Sequence, residues 1–181
     1  AENLLRRKDD TDALVFWGED KVKLRFSHKE LYNEVSRVAQ ALLSMGLVPG
    51  DRVGGYMPNM PHTIIAMLAA VSIGATWSSC SPDFGVQGVL DRFGQIKPKV
   101  IFVSDGYFYN GKAHDVTGKT AQIVGQLPSV ERTVFIPYCN PKPVIDNVAN
   151  SVLWDDFIND FNDSEIEFAH LSFNHPLYIM Y

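Results

Sequence analysis

A chain of 181 residues with 46% apolar and 20% charged residues is long enough to bury a core and has an ordinary globular composition, which suggests neither a disordered nor a membrane class. A formal charge of -5 with no cluster of Lys and Arg argues against a nucleic-acid face, and no apolar run approaches the ~18 residues of a membrane helix. The opening AENLLRRKDD resembles neither a secretory signal nor a transit peptide, and the two cysteines, Cys80 and Cys139, lack metal or redox spacing and read as reduced thiols of a cytosolic protein.

Residues 1–7 read as a helical or turn segment entered from upstream, followed by a solvated acidic link. Residues 13–17 and 21–26 are two strand-like runs around Gly18, Glu19 and Asp20, predicting an antiparallel hairpin at the edge of the sheet. Ser27 and Glu30 form a capping box for a long helix. Its apolar face is Leu31, Val35, Val38, Leu42 and Met45, with Glu34, Arg37 and Gln40 turned outward and Gly46 closing it.

The stretch 50–105 then alternates strand, helix, strand, helix, strand: 53–57, 64–73, 76–79, 86–96 and 100–104. Two consecutive units of this kind require parallel strands, because a tight turn cannot join parallel neighbours whereas a crossover helix can. The fold class is therefore α/β, a doubly wound, mostly parallel sheet with flanking helices and an N-terminal antiparallel hairpin. Residues 105–119 read as a functional loop rich in Gly, Tyr and Asn, followed by a helix over 116–126. Gly118, Lys119 and Thr120 imitate the end of a phosphate loop, but the first glycine of that motif would fall on Ala113, so the match fails. A strand at 133–136, an irregular proline-rich connection, a short helix at 152–157 with Trp154 and Phe157 inward, and a solvated stretch at 159–167 complete the order. The final run, 176–181, reads as an apolar strand without cap or polar tail, an edge left bare. Both ends are accordingly expected to be cuts in a longer protein. The five histidines, His28, His62, His114, His170 and His175, read as surface or turn residues.

Three blocks, SHKELYNEVSRVAQALLSMGLVPGDRV, YMPNMPHTIIAMLAAVSIGA and the terminal HPLYIMY, resemble the AMP-forming acyl-CoA synthetases of the adenylate-forming superfamily. The segments AENLLRR, WSSCSPDFG, GVLDRFGQIKPKVIF and the run Tyr109, Asn110, Gly111, Lys112 are most similar to the branch that activates acetoacetate. Acetyl- and propionyl-specific members differ at WSSCSPDFG. The resemblance implies part of a large N-terminal domain, ending before the phosphate loop, and a parent ligase that uses acetoacetate, ATP, Mg²⁺ and CoA in the cytosol, in ketone-body and lipid metabolism. Its catalytic residues would lie downstream, leaving this chain without any and inactive alone, its partner being the remainder of the parent chain.

By the same resemblance the 105–112 loop stands where an arginine-bearing loop holds the CoA phosphates in acetyl-CoA synthetases. Here Tyr109 and Lys112 occupy the arginine positions: Lys112 still offers a point charge, Tyr109 only stacking or one hydroxyl. Asn110 and Gly111 allow close backbone approach. Ser81, Asp83 and Phe84 lie just past the second parallel strand, where open sheets bind ligands, and resemblance places them near the pantetheine route. Asp83 as an N-cap and Phe84 as a core residue remain equally open readings, as do another short-chain acyl-CoA synthetase and a non-enzymatic α/β nucleotide-binding module for the chain as a whole.

Overall fold

The computed structural model describes residues 1–181. A short 3-10 turn, Glu2–Leu4, precedes strands β1 (Asp12–Gly18) and β2 (Val22–Ser27) and helix α1 (His28–Ser44). Next come β3 (Arg52–Tyr56), α2 (Pro61–Ser72), β4 (Thr76–Cys80), α3 (Val86–Ile96) and β5 (Val100–Ser104). Beyond β5 the chain forms β6 (Gly106–Tyr109), β7 (Lys112–Asp115), α4 (Thr117–Val124), β8 (Arg132–Ile136), β9 (Ser151–Leu153) and α5 (Trp154–Ile158). No helix is long and apolar enough to cross a membrane.

Strands β3, β4, β5, β8 and β9 form one parallel sheet in the order β4-β3-β5-β8-β9. Period-two alternation sends successive side chains of β5 to opposite layers. Val100 and Phe102 join the cluster formed with α1, α2 and α5, while Ile101 and Val103 join that of α3 and α4. The middle of β3 is tight: a Cβ on Gly55 would stand 2.6 Å from the Trp77 ring, so this position has room only for glycine. The capping box is formed as expected, with the Ser27 hydroxyl accepting from the Glu30 amide and the Glu30 carboxylate from the Ser27 amide. At the start of β3 the Lys99 ammonium lies 2.8 Å from the buried Asp51 carboxylate. Burial opposes that charge, but Lys99 and the Val48 amide outweigh it and hold the carboxyl below its usual range.

Several expectations need correction. The β1–β2 hairpin is a separate two-stranded sheet and not an edge of the main one. Leu14, Phe16 and Phe26 on its inner face pack onto the helical layer, which takes their apolar surface out of water. Most of the 105–119 stretch is a hairpin, β6–β7, turning at Asn110 and Gly111, both at positive φ, and its last residues already belong to α4. Val152 lies in β9, which pairs with β8, and only from Trp154 does the chain become helical. The run 176–181 makes a single parallel bridge, Tyr178 to Trp77, beside β4 rather than a strand.

Residues 159–167 are mostly exposed, as a solvated stretch should be, but they also lie along α1. Ser36 donates its hydroxyl to the Ser164 carbonyl, Gln40 its amide to the Asn162 carbonyl, and Tyr32 its hydroxyl to the Glu165 carboxylate. Arg37 and Gln40, expected outward, are spent on this contact. His62 is the other departure: its ring is held edge-on between Phe26 and Trp154, and its Nδ1 is buried without a partner. Burial pushes its pKa down to about 4, so it is a neutral core residue.

Candidate functional site

The carboxyl ends of β3 and β4 open into a cavity of about 530 Å³ roofed by the β6–β7 hairpin. Pro58 and Asn59 line it from the turn after β3, Ser81, Pro82 and Asp83 from the loop after β4, and Tyr107, Phe108 and Tyr109 from β6. Crevices at this end of an open parallel sheet bind ligands because the crossover loops diverge there.

Two devices fix its walls. Tyr56, at the end of β3, lies 2.9 Å from the carbonyl oxygens of both Pro82 and Phe84 and donates its hydroxyl to either. Burial first, then the neighbouring Tyr107 and Asp83, pushes the Tyr56 hydroxyl far above its ordinary pKa, so it stays a donor. The hairpin is rooted by Asp105, whose buried carboxylate accepts from the amides of Tyr138 (2.6 Å), Cys139 (2.9 Å) and Asn140 (2.7 Å). Beside it, a Cβ on Gly106 would stand 2.5 Å from the His114 carbonyl, so the base of the hairpin closes only on glycine.

The seven residues singled out from sequence divide. Ser81, Asp83 and Tyr109 line the cavity, with Tyr109 67% exposed on its rim. Asp83 is no N-cap: Gly85 holds that position with extended backbone and no side-chain bond. Phe84 packs half-buried beneath the Arg92 guanidinium, 4.8 Å away, outside the cavity lining. Asn110, Gly111 and Lys112 stand exposed at the hairpin tip, Lys112 directly across the ladder from Tyr109 and without an ion-pair partner. The tip amides are taken: Asn110 N–H donates to Glu19 Oε1 (3.0 Å) and Gly111 N–H to Glu19 Oε2 (2.8 Å).

Sequence reasoning missed Tyr56, Tyr107 and Glu19. An aromatic ending a core strand was the available signal for Tyr56. For Glu19 there was none, because its contact spans 91 residues.

Neither cysteine near the site is activated. Cys80 is pushed up to about 11 by burial, with Arg92 pulling weakly the other way, and Cys139 up to about 12 by burial and then by Asp105 and Asp115. Both are neutral thiols and poor nucleophiles. No three His, Cys, Asp or Glu side chains converge as metal ligands. The crevice offers aromatic faces and exposed polar groups, and Lys112 at the hairpin tip beyond it carries an ammonium without an ion-pair partner.

A family model described as AMP-binding enzyme matches residues 1–181. The acetoacetyl-coenzyme A synthetase of Rhizobium meliloti (strain 1021) is 51% identical over 182 residues, covering 100% of this chain and 28% of that protein. The acetoacetyl-CoA synthetase of Mus musculus is 47% identical over 190 residues, again 100% of this chain and 28% of the relative. The solved structure of acetoacetyl-CoA synthetase from Streptomyces lividans superposes with a TM-score of 0.90 at 35% identity, over 99% of this chain and 27% of that one. The chain thus spans about 28% of the length of the curated relatives it matches.

Proposed function

Because the chain belongs to the AMP-binding enzyme family, we propose that it is part of the large N-terminal domain of an ATP-dependent, AMP-forming ligase that converts acetoacetate to acetoacetyl-CoA. The observation that carries this reading is the 51% identity to an acetoacetyl-coenzyme A synthetase across the whole chain. In the first half-reaction the acetoacetate carboxylate attacks the α-phosphate of ATP in line, forming the acyl-adenylate and releasing pyrophosphate. In the second the CoA sulfur attacks the acyl carbonyl, the thiol proton is lost to solvent, and AMP leaves. Catalysis of this kind rests on positioning and on stabilising phosphate charge.

The part we assign to this chain is to hold CoA. Tyr107 and Tyr109 offer faces for stacking, Lys112 a charge for phosphate, and Ser81 and Asp83 polar contacts along the crevice. Phe84 supports the loop from beneath. The groups that act on ATP, and any Mg²⁺ it brings, we place in the parent protein outside residues 1–181, in keeping with the 28% share. We place the parent in the cytosol, where two unpaired thiols are stable and where acetoacetate, a ketone body, enters lipid metabolism.

Steady-state kinetics of the full-length parent with acetoacetate, acetate and propionate test the substrate; kcat/KM should be highest for acetoacetate, and a preference for acetate overturns the assignment. The 181-residue chain alone should catalyse no ATP–pyrophosphate exchange, and measurable exchange would refute the placement of the catalytic groups elsewhere.

A further inference from the structure

Two consecutive backbone amides at the tip of β6–β7 point at one carboxylate supplied by the tip of the other hairpin. Convergent amides in a tight turn form a small concavity that favours an anion. Here the occupant belongs to the protein, and its position is unusual: Glu19 sits at φ 47, a region costly for a residue with a side chain.

The contact is not needed to join the hairpins. Tyr138 already packs between them, 6.0 Å from the Phe16 ring and 5.1 Å from the Phe108 ring, with Gly18 pressed against its hydroxyl. Glu19, Asn110, Gly111 and Lys112 are all exposed, so water competes for the bonds and they open without separating the hairpins. The next residue in the chain, Lys112, carries an exposed ammonium with no ion-pair partner.

We propose that the Asn110 and Gly111 amides with Lys112 form a phosphate seat and that Glu19 is its built-in competitor, which a phosphomonoester must displace. This rests on the reading that the hairpin holds CoA. A dianionic phosphate replaces both hydrogen bonds made by the carboxylate and adds contact with Lys112, so it displaces Glu19 where a neutral group does not. The competitor lowers affinity by the fraction of molecules in which the seat is open. It discriminates against ligands that lack the phosphate.

The test compares CoA with dephospho-CoA, which differ by one phosphomonoester, by calorimetric titration of the full-length enzyme and its variants. Glu19→Ala should tighten CoA about 3- to 10-fold and leave dephospho-CoA unchanged, with Glu19→Gln between wild type and Ala. Lys112→Ala should weaken CoA alone. If Lys112→Ala weakens CoA but Glu19→Ala leaves it unchanged or weaker, the hairpin binds CoA and the competitor role is overturned. If neither substitution changes CoA affinity, the CoA reading of the hairpin fails along with it. Thermal melts of each variant separate loss of binding from loss of fold.

Discussion

Both antiparallel hairpins reverse through two residues at positive φ, Glu19 and Asp20 in β1–β2, Asn110 and Gly111 in β6–β7, yet they are fastened by different chemistry. The first lies on a floor of apolar side chains, with Phe26 against His62 and Leu14 and Phe16 against the helical layer. The second is rooted by one buried carboxylate that gathers three amides of the chain after β8. Apolar packing tolerates small displacements, whereas a carboxylate with three short hydrogen bonds fixes a direction. The hairpin that roofs the cavity is the one fixed in direction, which suits a binding wall.

The strongest way to break this contrast is Asp105→Ala. It leaves three amides without an acceptor at the root of β6–β7, those of the half-buried Tyr138 and Cys139 and of the exposed Asn140, which water can reach. At ~1–3 kcal/mol for each of the two shielded amides it should cost about 4 kcal/mol in denaturant melts. Asp105→Asn, which keeps one acceptor oxygen, should cost about half of that. A loss below ~1 kcal/mol would mean the hairpin is held by its own ladder.

The floor of the first hairpin should answer to acid instead. His62 titrates near 6.5 when unfolded and at about 4 in the folded chain because burial disfavours its charged form. The folded state therefore binds fewer protons between those values. Stability is complete above pH 6.5 and falls as pH drops toward 4, by about 3 kcal/mol in all. His62→Phe should remove this slope while leaving the steeper carboxylate-driven loss below about pH 4 in place. Urea melts from pH 7.5 downward would show it, and identical slopes in wild type and variant would rule it out.

The same contrast explains what the sequence disclosed. The parallel core was legible because each element carries its own punctuation: the Ser27 box, Pro61 at the head of α2, and Gly46 and Gly74 at positive φ after their helices. Asn-Gly is the strongest two-residue hairpin signal, yet Lys112, Ala113 and His114 lack β character, so β6–β7 read as a loop. Strand β9 is only three residues, made a strand by β8 alone. The tail at 159–167 is polar, and its attachment depends on donors more than 120 residues earlier. Of the residues that line the cavity, Ser81 and Asp83 were singled out because loops after parallel strands are where ligands bind, and Tyr109 by resemblance alone. Tyr107, two residues earlier on the same β6, had neither signal, because the sequence had not revealed the hairpin that turns it toward the crevice.

At the second turn, Gly111→Ala meets open space but forces a side chain to φ 72. It should cost about 1 kcal/mol and move the roof without touching the sheet, visible as a small fall in Tm.

The smallest expected effect runs in the opposite direction and sharpens the contrast between the turns. Asp20, in the middle of the first turn, holds φ 59, and its carboxylate reaches Lys23 at 3.6 Å with both side chains exposed. Asp20→Gly removes the strain and sacrifices an exposed pair that contributes little. Part of the gain is returned because glycine makes the unfolded chain more disordered, and aspartate tolerates this region better than most residues. The balance should be a stabilisation of about 0.5 kcal/mol, with the gain confined to the floor-packed hairpin and CoA affinity unchanged. A loss of stability would instead show that the Lys23 pair, with Lys23 lying 4.3 Å over the Trp17 ring, holds the first turn together through charge. The two hairpins would then differ less in their fastening than their packing implies.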